Sequence, residues 1–290
     1  MRPGIHISLI HGIGDLIAAT PAIAQLRQKY PKRNITIWHS HAKEVFEGNP
    51  NIDHICTNYW DGQRTYRIEE SVYGWMAANH WTGSLANAYC RMFGLQEIDN
   101  PIPRLYGVEP AEGLGEYIVV TPNCNNKLFD LSATSLNKHW WPDRWYELVK
   151  WVKSELGLNV YQLSGGDDEL FIPNVDEIIK PSLREAFSII KGARCLVSID
   201  TMAQHAAAAL DTPAVVLFGK TPVNIYGYQS DRISNLSLDC PKNHPCQSGN
   251  IFQQDIFNCP LPDHPCMDHS VESVKEAIMM LLEVGDAVTA

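Results

Sequence analysis

The sequence has no hydrophobic run long enough to cross a membrane and no cluster of basic residues. Its longest apolar stretches, such as 214–218 and 277–282, are far shorter than the ~20 residues of a membrane-spanning helix. Lys and Arg total 23 against 33 Asp and Glu, which gives a net charge of −10, and the basic residues are scattered. Because nucleic-acid binding depends on clustered neutralisation of phosphates, we expect no nucleic-acid partner and at most a peripheral contact with a membrane.

The amino terminus also lacks the features of a secretory signal. One Arg precedes the apolar run 5–10, and Asp15 follows soon after, so there is neither a long apolar core nor a small-residue cleavage site. We therefore expect a cytoplasmic protein. A chain of 290 residues with 45% hydrophobic and 19% charged residues has globular composition, and its length favours two modest domains.

Short β-branched runs alternate with helical patterns along the chain. Strands are predicted at 5–10, 35–38, 52–58, 117–121, 159–164, 195–199 and 214–218. Helices are predicted at 15–30, 42–48, within 69–93, and at 143–156, 182–192, 201–210 and 270–284. An alternative start for the first helix is Thr20-Pro21, as N-cap and first residue. This alternation predicts an α/β fold of parallel sheets with crossover helices.

A loop-like segment divides the chain. Residues 100–115 contain three Pro and three Gly with little periodicity, which is typical of a linker. We predict an amino-terminal domain over 1–112 and a second domain over 113–269, with a cysteine-rich loop at 240–266. An amphipathic helix is predicted over 270–290.

Polar loops follow several of the predicted strands. Ligands of open parallel sheets bind beyond the carboxyl ends of the strands, where loops meet helix N-termini. This rule selects the loops at 12–15, 121–125, 165–169, 200–205 and 219–221. Five such loops in two half-chains predict a cleft between two doubly wound domains, although Gly12 and Gly14 alone indicate only a tight turn.

These loops resemble glycosyltransferase family 9, the heptosyltransferases of bacterial lipopolysaccharide and of related protein glycosylation. The matching blocks occur in family order over most of the chain. They are Gly12-Ile13-Gly14-Asp15 with Thr20-Pro21-Ala22, Lys138-His139-Trp140-Trp141-Pro142, Gly165-Gly166-Asp167-Asp168-Glu169, and Asp200-Thr201 with His205, Thr212-Pro213 and Phe218-Gly219-Lys220-Thr221. The resemblance implies a GT-B fold: two Rossmann-like domains facing across a cleft, with the acceptor mainly on the first and the nucleotide-sugar mainly on the second. We also expect the carboxyl-terminal helix to cross back onto the first domain.

The resemblance implies that Asp15 is the catalytic base and that Lys138 contacts phosphate. A carboxylate at the cleft can accept the proton of an acceptor hydroxyl, and a compact positive charge can stabilise the leaving pyrophosphate. From the residues alone, Asp15 is better explained as a first-turn residue that stabilises the helix dipole, and Lys138 as a solvated loop lysine. No Asp-x-Asp motif lies in a metal-binding context, so we expect no cofactor for catalysis.

A further set of residues is expected to bind the nucleotide-sugar. They are Gly14, Thr121, Asn123, Glu169, Asp200, Thr201, Met202, His205, Lys220 and Thr221. The helix start after Asp200 offers unpaired N–H groups to a pyrophosphate, and Glu169 matches the family's ribose-binding acid. Met202 and Lys220 stand where the family commonly has Gly and Pro. Lys220 either contacts phosphate or is surface charge, and His205 either packs the loop or contacts the ligand.

Four of the eight cysteines lie close together late in the chain. Cys240, Cys246, Cys259 and Cys266 form C-x5-C-x12-C-x6-C in a segment without periodicity. Four thiols closing a loop without a core are typical of a structural Zn or Fe site, and the resemblance raises the expectation of iron. Disulfides, unliganded thiols, and a ligand exchanged for His244, His264 or His269 are the alternatives.

Together these features predict an inverting glycosyltransferase. It would transfer a sugar, heptose from ADP-heptose, to a saccharide of the lipopolysaccharide-core type or to a protein hydroxyl. One alternative is a non-catalytic nucleotide- or metal-binding scaffold of the same fold. Another is a GT-B transferase or epimerase that uses a different nucleotide-sugar. A homo-oligomer is compatible with the sequence.

Overall fold

The fold consists of two separate parallel sheets with helices packed on them. The computed structural model describes residues 4–9, 11–38, 42–56, 66–68, 71–124, 138–165, 170–240 and 265–289. Among these residues, no helix combines the length and the apolar character needed to cross a membrane.

The first sheet has four parallel strands in the order β3-β2-β1-β4. Its strands are β1 (Ile5–Ser8), β2 (Ile35–Trp38), β3 (His54–Cys56) and β4 (Tyr66–Ile68). The helices of this half are α1 (Ile13–Ala18), α2 (Thr20–Lys29), α3 (Val72–Ala78) and α4 (Leu85–Met92). Lys43–Val45 form a single 3-10 turn.

The second sheet has six parallel strands in the order β10-β9-β8-β5-β6-β7. Its strands are β5 (Tyr117–Thr121), β6 (Asn159–Leu163), β7 (Glu177–Ile179), β8 (Cys195–Ile199), β9 (Ala214–Phe218) and β10 (Ile233–Ser237). Its helices are α5 (Pro142–Trp151), α6 (Leu183–Gly192), α7 (Met202–Leu210), α8 (Val223–Tyr226) and α9 (Val271–Thr289). Residues Val152–Leu156 extend α5 as a π-helical turn.

In both sheets, the order in which strands are added reverses beside the first strand. Counted from the first strand of each half, the orders are 3-2-1-4 and 6-5-4-1-2-3, which is the doubly wound arrangement. The switch points lie between β1 and β4 and between β5 and β8. Loops after these four strands therefore diverge and leave room for a ligand at the carboxyl edge of each sheet.

The start of the chain confirms the alternative helix start at Thr20-Pro21, because α2 begins at Thr20. The single helix over 15–30 is wrong, since a separate short helix, α1, precedes α2 and ends at Ala18. The Thr20 hydroxyl donates a hydrogen bond to the Ile17 carbonyl at 2.8 Å. Pro21 lies in the first turn of α2, where a backbone N–H would have no partner within the helix. Asp15 thus lies in the first turn of a short helix.

The carboxyl-terminal helix packs on the second sheet. The apolar face of α9 includes Val274, Ile278 and Leu281, which join a core with Trp145 and Val197. Ser270 caps the helix by accepting a hydrogen bond from the Ser273 N–H at 3.1 Å. The expected crossing onto the first domain is not observed among the described side chains of this helix, because its apolar face is already covered by the second sheet.

Candidate active site

The first switch-point loop holds Asp15 in a half-buried position. Asp15 lies in the first turn of α1, where Gly12 is the N-cap, and its Oδ1 accepts a hydrogen bond from the Tyr73 hydroxyl. Burial raises the pKa of Asp15 to about 6, and the nearby charge of Asp200 adds to the rise. Hydrogen bonds from Tyr73 and the Gly12 backbone, with the charge of Lys138, act in the opposite direction. Asp15 therefore changes its protonation near neutral pH.

The second switch-point loop holds a buried ion pair. Lys138 Nζ lies 2.7 Å from Asp200 Oδ2 and 3.2 Å from the Asp200 carbonyl oxygen. The other carboxylate oxygen accepts a hydrogen bond from Gln204 Nε2 at 2.9 Å. Burial alone would raise the pKa of Asp200 and lower that of Lys138, but their attraction outweighs it in both cases. Both groups therefore stay charged, and Asp200 positions Lys138 at the start of α7.

His205 joins the two halves of the molecule by packing. Its Nδ1 lies 2.6 Å from the Tyr228 hydroxyl, and burial lowers its pKa to about 4, so the ring is neutral at physiological pH. The ring also lies against Gly14 in α1, since a Cβ added there would lie 2.5 Å from His205 Cδ2. Of the two interpretations of His205, the described contacts support loop packing, and a ligand contact stays a prediction.

Three hydroxyl groups, on β5, on β8 and at the start of α7, lie within hydrogen-bond distance of one another in sequence. Thr121 donates to the Ser198 hydroxyl at 2.6 Å, and Ser198 lies 3.2 Å from the Thr201 hydroxyl. Thr201 is the N-cap of α7 and accepts from the Ala203 N–H at 3.3 Å. These contacts tie β5 to β8 across the switch point and fix the first turn of the helix, which begins at Met202.

Asn123 is used to shape a neighbouring loop. Its side-chain amide donates to the Leu170 carbonyl at 2.9 Å and accepts from the Leu170 N–H at 2.8 Å. Gln162 donates to the same carbonyl at 2.6 Å. Glu169, the predicted ribose ligand, lies outside the described residues, but the residue after it is held firmly by two side-chain amides.

The loop after β9 contributes the last predicted nucleotide contacts. Lys220 and Thr221 are both half-buried there. The Thr221 side chain lies near enough to Asp200 to help lower the pKa of that carboxylate, so Thr221 is close to the Lys138–Asp200 pair. Thr221 is thus brought to the site, while the choice between the two interpretations of Lys220 stays open.

The predicted cysteine site is only partly described. Cys240, just after β10, and Cys266, in the core beneath α9, are both buried. Cys246 and Cys259 lie outside the described residues, as do His244 and His264. His269 Nε2 donates a hydrogen bond to the Phe218 carbonyl at 3.1 Å. In the part of the chain that the structure describes, three or more His, Cys, Asp or Glu do not come together in a way that could hold a metal.

Sequence reasoning missed several residues of this site. Tyr73, Tyr89 and Tyr226 surround Asp15, and Gln204 completes the contacts of Asp200. Tyr226 comes from α8 and hydrogen-bonds Tyr73, so tyrosines from both halves meet at Asp15. Of these residues, Tyr73 alone had a signal in the sequence, because it follows β4, the strand that pairs with β1. That strand was not predicted.

The fold and the meeting of the switch-point loops define the two-domain GT-B architecture. A glycosyltransferase family 9 structure from Veillonella parvula DSM 2008 superposes with a TM-score of 0.70 at 15% identity, covering 97% of both chains. TibC, an iron-containing dodecameric glycosyltransferase from enterotoxigenic E. coli H10407, superposes with a TM-score of 0.73 at 16% identity. That match covers 98% of this chain and 77% of TibC.

The sequence comparisons point to one family. The family model "Glycosyltransferase family 9 (heptosyltransferase)" matches residues 120–254. Lipopolysaccharide heptosyltransferase 1 of Salmonella typhimurium is 29% identical over 145 residues, which cover 44% of this chain and 45% of that protein. This chain is therefore related to glycosyltransferase family 9 through its second half, and the match spans less than half the length of the curated relative.

Proposed function

We propose that this chain is an inverting heptosyltransferase that transfers heptose from ADP-heptose to a hydroxyl group of a saccharide or a protein. The observation that carries the proposal is the meeting of two unlike acidic residues. Burial raises the pKa of Asp15 to about 6, whereas Lys138 holds the pKa of Asp200 low and is itself held by that carboxylate. The first can accept a proton while Lys138 stabilises a leaving phosphate.

The chemistry follows from this division. The acceptor oxygen attacks the anomeric carbon, its proton passes to the Asp15 carboxylate, and the bond from that carbon to the phosphate oxygen breaks. A base is most effective when its pKa lies near the working pH, which the burial of Asp15 provides. A single displacement with one base inverts the anomeric configuration.

The leaving ADP would meet positive groups at the start of α7. Thr201 caps this helix, whose first N–H groups and dipole favour an anion, and Lys138 is held beside it. Lysine and helix dipole then take the part of a divalent ion, so we propose that catalysis needs no metal. A relative supports the donor, since the heptosyltransferase TibC also has a solved structure in complex with ADP-D-beta-D-heptose.

Two classes of acceptor are candidates. The curated relative is named a lipopolysaccharide heptosyltransferase, which favours a core saccharide. A protein hydroxyl is the other candidate, as the sequence resemblance implies. The assay therefore offers ADP-heptose with a lipopolysaccharide-core acceptor and, separately, with a protein acceptor, and measures ADP release and sugar incorporation.

The donor is tested separately by ligand-dependent stabilisation. Thermal midpoints are measured with millimolar ADP, UDP, GDP and CDP in the presence of EDTA, because a ligand of the folded state raises the midpoint. Selective stabilisation by ADP supports the proposal. Selective stabilisation by UDP or GDP would replace the donor, and no shift with any nucleotide would favour a non-catalytic scaffold.

We also propose that Cys240, Cys246, Cys259 and Cys266 hold a structural iron or zinc ion. The support is the burial of Cys240 and Cys266 at the two ends of the intervening segment, and the iron-containing nature of TibC. Metal analysis of untagged protein should find one ion per chain. Wild-type protein without stoichiometric iron or zinc would contradict the site.

The oligomeric state is a related proposal. TibC is dodecameric, so we propose that this chain also forms a homo-oligomer. Light scattering of the untagged protein measures its mass directly, and a monomer over the micromolar range would contradict this.

A further inference from the structure

Tyr73 reaches Asp15 because of the topology of the first sheet. Strand β4 pairs in parallel with β1, with Ile5 opposite Tyr66 and Ile7 opposite Ile68. Helix α3 begins at Val72, shortly after β4 ends. Its first turn therefore lies at the same carboxyl edge as Asp15, on the other side of the switch point.

The Tyr73 side chain is held in place from several sides. Ser71 caps α3 by accepting a hydrogen bond from the Gly74 N–H at 3.3 Å, which fixes the first turn. The Tyr73 ring meets His11 edge to face, with centroids 5.0 Å apart. Burial raises the pKa of Tyr73 well above 10, so the hydroxyl remains a donor throughout the working range.

We propose that Tyr73 is a positioning residue that orients the Asp15 carboxylate and stabilises its ionised form. The Tyr73 hydroxyl donates a hydrogen bond to Asp15 Oδ1. The other carboxylate oxygen, Oδ2, lies beside Gly12, since a Cβ added to Gly12 would be 3.2 Å from it. A hydrogen bond to a charged acceptor favours the charged state. This inference rests on the proposed role of Asp15 as the base.

Other ionisable groups also face Asp15. From the first half this is Tyr89 on α4, with His11 behind Tyr73; from the second half they are Lys138, Asp200, Tyr226 and Tyr228. Asp200 favours protonation of Asp15 and Lys138 opposes it. Tyr89 is a useful contrast, since it is fully buried near Asp15 but its hydroxyl has no hydrogen-bond partner among the described residues.

The experiment compares Tyr73→Phe with Tyr89→Phe, which remove the same atom from the same neighbourhood. Protein labelled with 13C at the Asp carboxyl carbons is titrated by NMR, and Asp15 is assigned by the signal missing in Asp15→Asn. The titration midpoint of Asp15 should rise by about one pH unit or more in Tyr73→Phe. It should change by much less in Tyr89→Phe.

The kinetics should move in the same way. In Tyr73→Phe, the acid limb of the kcat/KM pH profile should move to higher pH by the same number of pH units as the Asp15 midpoint. The Kd for ADP should not change. A general loss of structure would instead lower the rate equally at every pH. If Tyr73→Phe does not fold, 3-fluorotyrosine at position 73 keeps the ring and donates more strongly, so the midpoint should fall.

Equal midpoints in Tyr73→Phe and Tyr89→Phe, or an unchanged midpoint with 3-fluorotyrosine, would overturn the inference. A different result would contradict the proposed function alone. Wild-type protein that transfers no heptose, but whose Asp15 midpoint still responds to Tyr73→Phe, would contradict the heptosyltransferase and leave the contact between Tyr73 and Asp15 supported.

Discussion

Asp15 and Asp200 lie beside the switch points of the two sheets and have opposite properties. Each follows a strand that borders the switch point of its sheet; Asp200 is buried and Asp15 is half-buried. Asp15 is hydrogen-bonded to Tyr73, and its pKa is raised to about 6. Asp200 is paired with Lys138, and its pKa is lowered.

The difference shows how a repeated fold supports two kinds of chemistry. Burial disfavours the charge of both carboxylates, and the partner decides the outcome. A cation keeps Asp200 ionised, so that it can hold a lysine in place. A phenol favours the carboxylate only in part, so Asp15 can exchange a proton near neutral pH.

The largest expected effect is on the rate of transfer, when Asp15 can no longer accept a proton. Asp15→Asn keeps the shape of the side chain but cannot accept a proton, and should lower kcat for heptose transfer by about 10²–10⁴-fold. The Kd for ADP should change little, because Lys138 and α7 are untouched. Steady-state kinetics and calorimetric titration with ADP measure the two quantities.

The matched control for this change is Asp143→Asn. Asp143 also lies in the first turn of a helix, α5, but it is exposed. It should leave transfer unchanged. If Asp15→Asn and Asp143→Asn behave alike, Asp15 is a first-turn residue that stabilises its helix and not a base.

A smaller effect, on folding, is expected when Asp200 loses its cation. Lys138→Met leaves a nearly fully buried carboxylate without its partner and should lower the free energy of unfolding by about 2–3 kcal/mol. Asp200→Asn should cost less, because the side chain of Lys138 is 22% exposed and can reach solvent. Urea denaturation measures both variants.

The double variant completes this test. Lys138→Met with Asp200→Asn should recover much of the lost stability, since neither charge is left unpaired, yet ADP binding should not return. Additive losses in the double variant would show that the ion pair does not couple the two residues.

The packing between the halves gives a smaller effect. Gly14→Ala would place a Cβ 2.5 Å from His205 Cδ2, so we expect a loss of about 1–2 kcal/mol in stability as the ring is displaced. Gly74→Ala is the matched control, because it is also helical and the nearest atom to its Cβ is 3.6 Å away. Thermal denaturation of both variants in parallel makes the comparison, and equal midpoints would contradict the contact.

The fold was largely predictable where strands are buried on both faces. Strands β2, β5, β8 and β9 have the predicted bounds, since a continuous apolar run is a strong local signal. The strands that were missed, β4, β7 and β10, are at sheet edges. An edge strand pairs on one side only and, as in β7 and β10, is less buried, so its sequence carries less pattern.

The candidate site was predictable only for residues within motifs. Asp15, Lys138, Asp200 and Thr221 lie close together in the structure, while the roles that the resemblance implies for them stay predictions. The pairing of Lys138 with Asp200 depends on a separation of 62 residues, which no local pattern encodes. The tyrosines around Asp15 are joined by tertiary structure alone.

The pH dependence of kcat/KM tests the division between the two aspartates most directly. With Asp15 as the base, the rate should be constant above pH 7 and fall tenfold per unit well below about 6, because protonation removes the acceptor for the proton. Asp200 stays ionised and His205 neutral over this range, so a single proton should account for the fall. A rate that is independent of pH down to 5, or that falls with two protons, would contradict the account.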